Sequence, residues 1–197
     1  MALPGATTIG IVCKDGVILA AEKRYSWGYF IMSKTAKKVF KITENIGAAC
    51  AGLIGDMQVL TKTVRAHVNL RSYEREQKTT VRSAAKIMSN MLFERRYIPL
   101  LAQTIIAGID EDGPHLFVLD PIGSVIEDRY ASVGSGSEIA TGVLESEYNA
   151  NMTVEEGKKI VIKAAKSAGA RDVGSGNVLD ILVIGKDQSQ EETVKLA

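Results

Sequence analysis

The residue types that most often carry catalysis are scarce in this sequence and poorly spaced for it. Its two histidines, His67 and His115, fall in an amphipathic helical pattern and a strand pattern, which gives a Ser-His-Asp arrangement little support. Its two cysteines, Cys13 and Cys50, sit in apolar strand-like runs and read as buried, reduced thiols. No group of His and Cys has ligand spacing, so no metal site is expected. Gly134-Ser135-Gly136 and Gly174-Ser175-Gly176 lack the strand-to-helix setting and the lysine of a phosphate loop, and read singly as turns. What remains is a scatter of charges and hydroxyls: Glu22, Lys38, Ser135, Asp172 and Ser175. Taken one at a time, the charges read as solvated and the serines as turn residues. The chain begins with a short leader that runs through Pro4-Gly5-Ala6-Thr7-Thr8-Ile9-Gly10 into a strand.

The scaffold that must hold such residues follows from length and patterning. A chain of 197 residues fits one domain that buries about 70% of its unfolded surface. Its net charge of +1, from nearly balanced acids and bases, gives little support to a nucleic-acid surface, which needs clustered Lys and Arg. The longest uncharged apolar stretch, Ile46 to Gly55, is far shorter than the roughly 20 residues of a spanning helix. Met1 to Gly5 has neither the basic start nor the apolar run of a secretory signal, so no membrane association is expected and the cytoplasm is the default location.

Thr7 to Cys13 and Val17 to Ala21 form a hairpin turned at Lys14-Asp15-Gly16. The continuous apolarity of residues 16–21 requires cover on both sheet faces. A mixed segment to Ser33 precedes a second hairpin, Lys37 to Ile42 and Ile46 to Gly52. Helical spacing then takes over from Asp56, which is expected to cap a helix carrying Val59, Leu60, Val64, Val68 and Leu70 on one face. A second helix starts near Thr80, buries Ala84, Ile87, Met88, Met91 and Leu92, and ends before Pro99. Strand signals at Thr104 to Ile109, His115 to Asp120 and Ser124 to Tyr130 suggest a second sheet. A helix with Ile139, Val143 and Leu144 follows. Thr153 and Glu156 match a capping box for another helix, which runs to about Ala168. Val178 to Gly185 is the last clear strand, and the polar tail from Lys186 is expected to reach solvent or a neighbouring subunit. The order is strands, two helices, strands, two helices, strand. It predicts an α+β, four-layer αββα sandwich of two antiparallel sheets.

In chain order, Gly5, Thr7-Thr8-Ile9-Gly10, Lys14-Asp15-Gly16-Val17, Glu22-Lys23-Arg24, Lys37-Lys38-Val39-Phe40, Ala51-Gly52-Leu53-Ile54-Gly55-Asp56, Gly134-Ser135-Gly136-Ser137 and Arg171-Asp172 resemble an archaeal-type 20S proteasome β subunit, of the N-terminal nucleophile hydrolases. The resemblance implies a leader over residues 1–5, cut between Gly5 and position 6, and a β-type domain over residues 6–197. In that family the cut exposes a threonine whose hydroxyl attacks a peptide carbonyl. The freed α-amine, with an ordinary pKa of about 7.7–8.0, serves as base. By family position the nucleophile falls on Ala6, its acidic partner on Glu22, where many members have aspartate, and the essential lysine on Lys38. Ser135, Asp172 and Ser175 would surround the amine, and the Gly52 N–H would face the oxyanion. Tyr25, Ala36, Cys50 and Ile54 would line an apolar pocket for the side chain before the cut bond. Ser26, with Gly52 and Ile54, would pair with an extended peptide. Implied partners are other β subunits in seven-membered rings, flanking α-subunit rings, unfolded polypeptide as substrate and, indirectly, an AAA-type unfoldase. No cofactor is implied.

Alanine at position 6 has no hydroxyl, so neither peptide hydrolysis nor leader removal can run through it. Two origins are open: an engineered threonine-to-alanine change, or a naturally silent β subunit that supports a sister chain. The persistence of Thr7, Thr8 and every supporting residue favours the first. A different N-terminal nucleophile hydrolase acting on a small amide would instead occur as a monomer or small oligomer.

Overall fold

A computed structural model describes residues 5–186 and 188–196. The expected leader therefore lies, apart from Gly5, outside the described residues.

Two five-stranded antiparallel sheets stack face to face. The first is ordered β10(Tyr130–Val133), β1(Thr8–Cys13), β2(Gly16–Glu22), β11(Val178–Gly185), β12(Ser189–Lys195). The second is ordered β5(Val39–Lys41), β6(Ile46–Gly52), β7(Ala102–Asp110), β8(Gly113–Leu119), β9(Val125–Asp128). The helices α1(Ile54–Arg75) and α2(Val81–Glu94) cover the outer face of the second sheet, burying Met57, Leu60, Val64, Ala84, Met88 and Leu92 against Ile46, Ala48 and Phe117. On the first sheet, α3(Ser137–Glu147) and α4(Val154–Gly169) bury Ala140, Leu144, Val161 and Ala164 against Ile9, Ile11 and Ile18. Between the sheets lie Val17, Leu19, Ala21, Ala49, Ala51 and Ile105. This is the expected αββα sandwich, and β2 shows why its sequence is apolar throughout. Val17, Leu19 and Ala21 face the other sheet while Ile18 and Ala20 face the helices, so no position of the strand meets water.

Several local expectations give way to tertiary pairing. The early strands do not form one sheet and the later ones another: β1 and β2 join β11, whereas β5 and β6 join β7. The expected strand over Ser124 to Tyr130 is two, β9 and β10, which belong to opposite sheets because the chain crosses the sandwich at Arg129. The segment before Ser33 contains a separate hairpin, β3(Tyr25–Trp27) and β4(Phe30–Ser33). The polar tail is the edge strand β12, held by its ladder to β11 and by the Lys37–Glu191 and Lys158–Glu192 ion pairs. Asp56 does not cap α1, whose N-cap is Leu53; its Oδ2 instead accepts from the Leu101 N–H at 2.8 Å. Val59 and Leu70 are exposed, and Met57 and Thr61 take their place on the buried face of α1. The capping box of Thr153 and Glu156 forms as expected. No helix among the described residues is long and apolar enough to cross a membrane.

Cys13 and Cys50 are free and buried, and burial pushes each thiol up to about 12. Because the thiolate is the reactive species, neither should react with Ellman's reagent at pH 8 in the native protein, and both should react in guanidinium. Stoichiometric labelling of the folded chain on the timescale of an exposed thiol would contradict the burial described here.

Candidate active site

Ala6 precedes β1 and is fully buried between the sheets. Its N–H donates to Ser135 Oγ at 3.0 Å, and its carbonyl accepts from the Gly136 N–H at 3.1 Å. The turn that carries Ser135 and Gly136 opens α3, and it lies so close to β1 that a Cβ on Gly136 would stand 2.0 Å from Thr7 Oγ1. On the other side, Gly5 and Gly174 touch backbone to backbone: a Cβ on Gly5 would fall 2.3 Å from the Gly174 Cα. Glycine at both positions is a condition for the chain to reach Ala6 along this path.

Past the end of α4 the chain turns through residues 172–176 and presents Asp172 and Ser175. Asp172 Oδ2 accepts from Ser135 Oγ at 2.7 Å and from Ser175 Oγ at 2.6 Å, while Oδ1 accepts from the Gly174 N–H at 3.1 Å. Ser175 Oγ lies 2.5 Å from Thr7 Oγ1.

The ion pair of Glu22 and Lys38 closes the third side. Both side chains are about 1% exposed. Two charges removed from water are tolerated only when each is paired and its remaining donors and acceptors are met. Here Lys38 Nζ donates to Glu22 Oε1 and, at 2.5 Å, to the Arg24 carbonyl. Glu22 Oε2 accepts from the N–H groups of Arg24 at 2.6 Å and Gly176 at 2.8 Å. Burial pulls the Lys38 ammonium below the usual lysine range, opposed by Glu22 and, less strongly, by Asp172. Burial likewise pushes Glu22 above the usual carboxylate range, against the pull of Lys38 and the two N–H groups. Held by Glu22 and the Arg24 carbonyl, the Lys38 ammonium sets a buried positive charge on this side of the site.

Gly52 ends β6 with φ +134°, and a Cβ there would lie 2.0 Å from the Leu101 carbonyl oxygen. Leu101 is clamped by the Leu53 N–H at its oxygen and by Asp56 at its nitrogen. A cavity of about 290 Å³ opens there, lined by Ala51, Gly52, Ala102, Gln103, Gly134 and Ser135.

The structure thus gathers Ser135, Asp172 and Ser175 beside Ala6, joins the Glu22–Lys38 pair to them through the Gly176 N–H and through the Glu22 N–H, which donates to the Thr7 carbonyl at 3.2 Å, and puts Gly52 at the neighbouring cavity. The expected substrate contacts are not gathered in the same way. Tyr25 and Ala36 are half-buried, Ser26 is buried in β3, and Ile54 is half-buried at the start of α1. None of them lines the cavity beside Gly52. Cys50 is wholly enclosed, because strand alternation turns its side chain toward α1 and Thr104 rather than toward Ala6. His67 is exposed on α1, and His115 is paired with Glu127 at 2.8 Å, away from the site. Among the described residues no group of three or more His, Cys, Asp or Glu could hold a metal.

Thr7, Thr8 and Arg24 stand in the motifs that carry the resemblance, but the sequence assigned no role to the two hydroxyls or to the Arg24 backbone. Thr8 Oγ1 donates to the Cys50 carbonyl at 3.0 Å and so ties β1 to β6 across the inter-sheet space. The signal for the two threonines is their place at the head of an otherwise apolar strand. Arg24 acts through its N–H and C=O, which no side-chain pattern reveals.

The family model for proteasome subunits matches residues 3–184 of this chain. The chain is 48% identical to proteasome subunit beta 2 of Caldivirga maquilingensis, over 96% of this chain and 95% of that protein. It is 46% identical to proteasome subunit beta 2 of Pyrobaculum neutrophilum, over 98% and 95%. Identity to proteasome subunit beta 1 of Nitrosopumilus maritimus is 45%, over 100% and 98%.

Replacing Lys38 by Met leaves Glu22 buried without its cation, a loss that costs about 3–5 kcal/mol in comparable pairs. Glu22, already raised by burial, then loses the charge that opposes the rise. A carboxyl whose folded pKa lies above its unfolded value stabilises fully at low pH and loses that stability as pH rises through the folded pKa. The deficit of Lys38→Met in urea unfolding should therefore be larger at pH 8 than at pH 5, and the added change Glu22→Gln should reduce it. A small, pH-independent deficit would contradict the pairing.

Proposed function

The chain belongs to the proteasome subunit family, with archaeal β subunits as its relatives, and on that premise we propose that it carries a threonine-peptidase site from which only the reacting group is missing. The family reaction is endopeptidase cleavage of unfolded polypeptide inside a closed chamber. The observation that carries the reading is the Ser135–Asp172–Ser175 network bonded to Ala6, a residue with nothing to ionise or attack, with the buried Glu22–Lys38 pair joined to the same loop through the Gly176 N–H.

With threonine at position 6, its hydroxyl would attack the substrate carbonyl. The α-amine freed by leader removal would accept the proton, held by Ser135, Asp172 and Ser175. Lys38, fixed by Glu22, would lower the proton affinity of the hydroxyl, and the Gly52 N–H would meet the developing oxyanion. Alanine removes the first of these steps. The surrounding groups do not replace a nucleophile, so this copy is inactive and keeps residues 1–5 as an uncut leader before a domain over residues 6–197. With the leader in place the position-6 nitrogen is an amide, which is no base. The proposed assembly is a seven-membered β ring between α-subunit rings, supplied by an AAA-type unfoldase. Two free, buried cysteines support a cytoplasmic location.

A second reading makes the chain a naturally non-catalytic β subunit that shapes the chamber for a sister chain. The numbered names of the relatives, beta 1 and beta 2, support it.

The test is the Ala6→Thr variant beside the parent, assembled with its partner subunits. Intact mass should show the parent unprocessed and the variant without Met1 to Gly5. Only the variant should hydrolyse a fluorogenic peptide in a manner sensitive to threonine-directed inhibitors. An assembled variant that stays uncut and idle would replace the first reading with the second.

A further inference from the structure

Thr7 is fully buried, and its hydroxyl is committed. Ser175 Oγ has one proton and donates it to Asp172 Oδ2 at 2.6 Å. The 2.5 Å contact between Thr7 Oγ1 and Ser175 Oγ therefore has Thr7 as donor and Ser175 as acceptor. The one Ser135 hydroxyl proton has two acceptors in reach, Asp172 Oδ2 at 2.7 Å and the Ala6 carbonyl at 3.3 Å; the nearer, charged carboxylate takes it, and Ser135 accepts from the Ala6 nitrogen. The chain of bonds has one direction throughout: Thr7 to Ser175 to Asp172 from one side, and the position-6 nitrogen to Ser135 to Asp172 from the other. Gly136 supplies the room, since any Cβ there would collide with Thr7 Oγ1.

We propose that Thr7 is a positioning residue for the chemistry at position 6. By filling the acceptor site of Ser175, its hydroxyl fixes that serine's proton on Asp172 and locks the carboxylate in the orientation that turns the Ser135 lone pair toward the position-6 nitrogen. The inference deepens the threonine-peptidase reading and rests on it. Valine in place of Thr7 keeps the shape and branching of the side chain but cannot donate. Serine keeps the donor and loses a methyl.

The experiment places Thr7→Val and Thr7→Ser in the assembled Ala6→Thr particle and compares kcat and KM for a fluorogenic peptide. Thr7→Val should lower kcat about tenfold, the scale of one buried hydrogen bond in a coupled network, with KM unchanged within about twofold. Thr7→Ser should restore most of kcat. Unchanged kcat in Thr7→Val, or a loss that Thr7→Ser does not rescue, overturns the proposal. An idle Ala6→Thr particle would instead count against the peptidase reading, and a crystal structure of Thr7→Val in the parent then decides. Opening of the Ser135–Asp172 contact from 2.7 Å past about 3.5 Å upholds the positioning role, and an unmoved contact overturns it.

Discussion

The burial of one ion pair constrains most of what surrounds it. Glu22 and Lys38 are both about 1% exposed. A charged pair in that setting is stable only if the chain delivers further donors and acceptors to it. Those come from two places far apart in sequence: Arg24, just past the end of β2, through its N–H and C=O, and the loop after α4, whose Gly176 N–H reaches Glu22. Satisfying the pair therefore fixes residues 172–176. That loop in turn presents Asp172 and Ser175 to Thr7 and Ser135. The polar site is continuous, and it is set into the apolar space where the sheets meet.

Position 6 is where this network meets an alanine, a residue with nothing to ionise or attack. Its nitrogen and carbonyl are both hydrogen-bonded, and its methyl group is enclosed in the inter-sheet core. A protein with no use for the surrounding charges would do as well with apolar residues there, since well-packed hydrophobic replacements of buried pairs are often neutral or stabilising. The presence of the full set around alanine is the physical basis of the proposal that this is a peptidase site lacking its nucleophile.

The fold was legible wherever one residue pattern had one structural solution. The doubly covered run of β2 and the capping box of α4 are such cases, and together with helix order they were enough for the layered architecture. Sheet membership was not legible, because pairing β1 and β2 with β11 is a long-range choice that no local period encodes. The strand β12 was hidden by its polar composition; its ladder to β11 and ion pairs hold it instead of burial. At the site, Glu22, Lys38 and Asp172 look like solvated charges until the resemblance orders them, and the structure then brings them together. Cys50 lies on the α1 side of its strand, one step of alternation from the face toward Ala6, a placement that residue type does not reveal. The roles of Thr7 and of the Arg24 backbone lie in hydrogen bonds, which residue type alone does not announce.

The most direct measurement of whether only the nucleophile is missing is a crystal structure of the assembled Ala6→Thr protein, read at the separation between the introduced hydroxyl and Lys38 Nζ. The account predicts hydrogen-bond reach, about 2.6–3.2 Å, with the Glu22–Lys38 pair and the Ser135–Asp172 contact unmoved. A hydroxyl turned away from Lys38, or a pair that must reorganise to admit it, would contradict the claim that the site is otherwise complete.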